Sequence, residues 1–141
     1  MESSPPHTWP SWTSKQESIL TKCFITETDN VPPHTQIHPD VKWANIASLY
    51  NGQYGYKGVF TQAEVHHQFE EMMWKVVSFK GKYERLKKKY PDRNEKTLIE
   101  DAKREYLATS KDGTPFEHEH VYHIIKGRPL IGCFISGARG T

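Results

Sequence analysis

The sequence predicts an all-α fold, on three observations. Apolar residues recur at helical spacing, most regularly across residues 65–86. Three capping-box signatures, Ser14/Glu17, Thr61/Glu64 and Thr114/Glu117, mark helix starts, since such a pair satisfies backbone N–H groups that the first turn leaves without partners. No stretch before the final segment shows the apolar–polar alternation of a half-buried strand.

Residues 1–11 hold three of the nine prolines and are expected to be disordered. In the first helix, capped by Ser14, Ile19, Leu20, Cys23 and Phe24 form one apolar face. "ETDNVPPHTQIHPD" is a loop punctuated by three prolines. Asp40 is expected to cap a second helix with Trp43, Ile46, Ala47 and Tyr50 on one side, ended by Asn51-Gly52. The third helix starts at the Thr61/Glu64 box, with Phe60 and Val65 placed as a hydrophobic staple. Its stripe is Val65, Phe69, Met72, Val76, Phe79, Tyr83 and Leu86, spaced 4, 3, 4, 3, 4, 3. That regularity predicts about 25 residues of helix, stopped before Pro91. A fourth helix is expected from Asn94 to Thr109 with Leu98, Ala102 and Tyr106 in register, and a fifth from Thr114, with Pro115 at its first position, to Gly127. "LIGCFISGARGT" reads either as a strand or as a disordered tail, and its abrupt end allows the chain to be a piece of a longer protein.

The 141 residues suit one domain, taken as residues 12–130 with a tail over 131–141. No apolar run approaches the roughly 20 residues of a membrane span, and the N-terminus lacks the regions of a secretory signal. Cys23 and Cys133 stand far apart, as expected of reduced packing residues in an intracellular protein. The net charge of +2 is uneven. Residues 1–79 carry five Lys and no Arg against eight Asp and Glu, whereas "KGKYERLKKK" at 80–89 carries six basic residues and one Glu. Such a block binds phosphates, serves as a nuclear import address, or is a solvated helix end.

Helices whose core leans on the widely spaced aromatics Trp12, Trp43 and Phe69 resemble a Myb/SANT-like trihelix domain, with phenylalanine in the third tryptophan's place. The spacings of 31 and 26 residues suit the long-loop variety. "FKGKY", an amphipathic helix and then "DGTPFEHEHVYHIIKGRP" are similar to the Myb-like domains of plant NAM-associated proteins and of Harbinger-type transposon companions. The resemblance covers roughly residues 9–130. It implies a three-helix helix-turn-helix unit with a long third helix entering the major groove, two further C-terminal helices as buttress, and a nuclear protein engaged in transcription regulation or transposon accessory work. It places His66 and His67, three and two residues before Phe69, towards bases, and makes His120 a structural histidine.

With Val65 at zero and about 100° per residue, the stripe stays within about 60° of zero, and His66, His67, Glu70 and Trp74 fall between about 100° and 200°. Val77 and Gly81 continue that second face, which predicts that the fourth and fifth helices cover Trp74. Gln68, Glu70 and Glu71 stand where the family usually carries Lys or Arg, although Glu70 can accept a hydrogen bond from cytosine N4. Affinity is therefore expected from phosphate contacts by Lys75, Lys80, Lys82, Arg85, Lys87 and Lys88, with Lys57 in the preceding loop. DNA binding is expected to be weak and supported by a homodimer or a protein partner. The alternative is a protein-interaction module that has lost DNA, with Trp74, Met73 and Val77 as its patch.

Metal and catalytic readings fare worse. His120 and His123 share a helix face, but no further cluster supplies the remaining zinc ligands. Adjacent His66 and His67 diverge by about 100° and cannot chelate one ion. Neither cysteine stands near a cationic motif that would form a thiolate, Glu70 and Glu71 diverge on the helix, and no phosphate-binding glycine loop or nucleophile elbow occurs. The expectation is a DNA-binding protein, not an enzyme, with no cofactor, metal, small-molecule substrate or membrane.

Overall fold

The computed structural model describes residues 11–30, 38–54 and 60–128. The expectations for the N-terminal segment up to residue 10, Lys57, Pro129, Cys133 and the tail lie outside the described residues. Among those described are five helices and no strand: α1 (Ser14–Asp29), α2 (Pro39–Tyr54), α3 (Gln62–Lys89), α4 (Glu95–Thr109) and α5 (Glu119–Ile125). None of these helices is long and apolar enough to cross a membrane. The chain forms two compact units, residues 1–69 and residues 70–141, with the boundary inside α3 after Phe69.

In the first unit, α1 is capped one residue earlier than predicted. "TSKQE" offers two overlapping capping boxes, and the helix uses Thr13 with Gln16: Gln16 N–H donates to the Thr13 hydroxyl at 3.1 Å, and Thr13 N–H to Gln16 Oε1 at 2.9 Å. Glu17 is thereby released to a buried position, where it accepts a hydrogen bond from Gln68 Nε2 of α3 at 2.8 Å. The second helix begins at Pro39, whose fixed φ suits a first turn. It runs past Asn51-Gly52 to Tyr54, so the predicted stop is wrong. Asn51 does not cap. Its amide donates to the Phe60 carbonyl and accepts from the Phe60 N–H, both at 3.0 Å, fixing the backbone where α3 begins. The Thr61/Glu64 box closes in both directions, at 3.1 and 2.9 Å.

The aromatic core divides into two clusters. Phe24 stacks on Phe69 with centroids 4.3 Å apart, and Trp43 tilts against Phe24 at 5.8 Å and Phe69 at 5.4 Å. Trp12 belongs elsewhere: it stacks on Phe60 at 4.3 Å beside Tyr50 at 5.1 Å. Trp43 and Phe69 are buried, as predicted for core positions, while Trp12, which precedes α1, is half-buried.

In the second unit the α3 stripe continues through Met72, Val76, Phe79, Tyr83 and Leu86, all buried, with Met73 added at 2% exposure. α4 is capped by Asn94, which accepts from Thr97 N–H at 2.8 Å, and buries Leu98, Ile99 and Ala102. The fifth helix is shorter than predicted. Residues 114–118 are not helical, and Thr114 bonds to Asp112 rather than capping. The physical reason is Phe116, which this segment delivers flat onto Phe79, centroids 4.2 Å apart and planes 2° apart, with Tyr106 at its edge. α5 then sets Tyr122 against Phe79 and Tyr83. These rings meet α3 on its main stripe. The second strip is not the covered one: Trp74 and Val77 are half-buried, and Gly81 is exposed with open space around it. His120, predicted to be structural, is half-buried, whereas neighbouring His118 is 8% exposed.

Candidate nucleic-acid interface

α3 carries every residue that the sequence assigned to DNA except Lys57, which lies outside the described residues, and its 28 residues span about 42 Å. Its first turns are positioned by the Asn51 clamp, by Gln68 on Glu17 and by Gln62 Nε2 donating to the Asp40 carbonyl at 3.2 Å. On this fixed start His66 lies flat on Trp43, with ring centroids 4.3 Å and planes 16° apart. The imidazole is half-buried, so Trp43 orients its edge while covering one face. His67 and Glu70 are half-buried, and Glu71 is exposed.

The basic half of α3 divides into engaged and open cations. Lys80 pairs with Glu84 one turn on, and Arg85 pairs with Glu105 of α4. Exposed pairs of this kind contribute at most about 1 kcal/mol, so either cation can exchange its carboxylate for a phosphate. Lys75, Lys82, Lys87, Lys88 and Lys89 close no ion pair with a described residue, and all but half-buried Lys82 are exposed. Lys89, whose ammonium lies 5.4 Å from the Tyr90 ring centre, is absent from the sequence-predicted set. Its signal was the spacing: Lys75, Lys82 and Lys89 stand seven apart, hence on one side of α3, about 10 Å from one to the next. Lys87 and Lys88 point elsewhere around the helix. The predicted phosphate contacts thus encircle its end rather than share a face.

Burial pushes the Cys23 thiol up, away from thiolate chemistry. Hydrogen bonding from Lys103 holds Glu119 below the usual carboxylate range, and Glu119 also bonds His123 Nε2 at 3.0 Å. No family model, curated protein or solved structure matches this chain.

Proposed function

We propose that the chain is a double-stranded-DNA-binding module of Myb/SANT-like trihelix type, working in the nucleus as part of a transcription factor or transposon accessory. It is a binding module and not an enzyme. The observation that carries the reading is the set of lysines at 75, 82, 87, 88 and 89, five cations on one helix without ion-pair partners among the described residues. In this reading the start of α3 enters the major groove, wide enough for a helix. His66 and His67 reach bases, and Glu70 accepts from a cytosine amine. The lysines displace counterions from phosphates, the main source of affinity where the helix start is acidic.

A second reading has its own support. Trp74 and Val77 are half-buried on the face of α3 opposite the stripe. A module that binds a protein through these residues would use no phosphate contacts. Salt dependence separates the two. With Lys75, Lys87 and Lys88 all changed to Gln, the slope of log affinity against log salt should fall by roughly 2–3, since each neutralised phosphate contributes about 0.9. An unchanged slope rejects the phosphate assignment.

A further inference from the structure

Lys82 differs from its neighbours. Lys80 and Arg85 face carboxylates, but the ammonium of Lys82, a half-buried residue, has the Ser78 hydroxyl at 3.5 Å and no ion-pair partner among the described residues. An ammonium with no carboxylate beside it can take an anion as its partner. The space beside Lys82 is a cleft walled by Ser78 and Lys82 of α3, Tyr106 and Thr109 at the end of α4, and Ser110, Lys111 and Asp112 of the following turn.

We propose that this cleft binds a phosphodiester group, and that the group is a backbone phosphate of the DNA on which the proposed function rests. The donor inventory favours it. The Thr109 hydroxyl is committed to the Glu105 carbonyl at 3.0 Å, and that of Ser110 to Asp112 at 2.8 Å. Ser78 only accepts from Lys82, so its proton remains available, as do those of Lys82 and Lys111. Tyr106 stays protonated because burial, then Asp112 and Glu117, push its pKa up. The Asp112 carboxylate is turned into its own loop, where Oδ1 accepts from Ser110 Oγ, Thr114 Oγ1 and Thr114 N–H at 2.8, 2.8 and 3.3 Å. Gly113, at φ +71°, allows that loop its left-handed residue. Among the lining residues two ammonium groups stand against one carboxylate, a net charge near +1 that nearby Glu117 and the negative end of α4 lower further. That balance suits a singly charged phosphodiester better than a phosphate dianion. Lys82 is also the middle member of the seven-spaced lysines, so a strand held by Lys75 and Lys89 runs past the cleft.

The test uses the full ¹⁵N-labelled chain with a short duplex at low salt, and separately with dimethyl phosphate. The proposal expects duplex-induced shifts at Ser78 and residues 110–113, and a salt slope lower by about 2 in the Lys82→Gln/Lys111→Gln double variant. It expects unchanged shifts at His66 and His67 in that variant. Duplex binding that leaves the cleft resonances and the double variant's slope unaltered overturns the proposal while the DNA reading survives. If no duplex binds, dimethyl phosphate decides. Cleft shifts that vanish in the double variant keep the phosphodiester site and reject DNA as its source; the absence of such shifts rejects the site as well.

Discussion

Among the described residues, amide side chains link the elements of residues 1–69, and ion pairs link those of residues 70–141. In the first unit Asn45 donates to Glu27 at 2.9 Å, Gln68 to Glu17, Gln62 to the Asp40 carbonyl, and Asn51 clamps Phe60. In the second, Arg85 meets Glu105, Lys103 meets Glu119, Lys126 meets Glu95 at 2.9 Å, and Arg93 meets Asp101 at 2.7 Å beneath its own stack on Tyr90. Both units rest on stacked aromatics, so the contrast lies in the polar contacts between their elements. Amides hold geometry at any ionic strength, which suits the part that would present bases with His66 and His67. Exposed ion pairs are weak and exchangeable, which suits the part that would trade carboxylates for phosphates.

The comparison breaks first if the aromatic cores are unequal. Phe69→Ala in one unit and Phe79→Ala in the other should each cost about 3–5 kcal/mol in denaturant unfolding, because both rings are at most 1% exposed and stacked. A loss under about 1 kcal/mol in either would remove that ring from the core. Next, Asn51→Ala leaves the Phe60 N–H and carbonyl without their partner and should cost about 1–3 kcal/mol, equally at low and high salt. Arg85→Ala and Lys103→Ala should cost no more than about 1 kcal/mol each, and that cost should vanish near 1 M salt. A salt-dependent Asn51 effect, or a salt-independent Arg85 effect, would erase the contrast.

The smallest effect concerns acid. Hydrogen bonds from Ser110 and Thr114 hold Asp112 down to about 2, from an ordinary 3.8. A depressed carboxylate stabilises the fold above its unfolded value and loses that contribution as pH falls through the folded one. The 110–114 turn should therefore stay intact down to about pH 4 and loosen towards pH 2. The Thr114 amide resonance follows this directly, and in Asp112→Asn it should lose the transition.

The sequence was most legible where one periodic signal ran long. The α3 stripe from Val65 to Leu86 is buried at every predicted position, and the Thr61/Glu64 box closes as read. Local signals failed where a distant contact outweighed them. Ser14/Glu17 lost to Thr13/Gln16 because Glu17 pairs with Gln68, 51 residues away. Asn51-Gly52 did not stop α2, because Asn51 is held by Phe60. The Thr114/Glu117 box gave way to the Phe116–Phe79 stack. Of the candidate interface, the list of cations was readable but their availability was not. That Glu105 engages Arg85, while Lys82 opens on a cleft with Lys111, depends on which turns of α3 and α4 face each other.

Whether α3 engages DNA at all is tested most directly by fluorescence anisotropy of a labelled random-sequence duplex pool, titrated with the full chain at about 20 mM and about 150 mM salt. The account predicts binding at low salt that weakens steeply at the higher, as phosphate contacts by several lysines require. No binding at about 20 mM salt would contradict it, and would transfer the function to protein recognition through the face that carries Trp74.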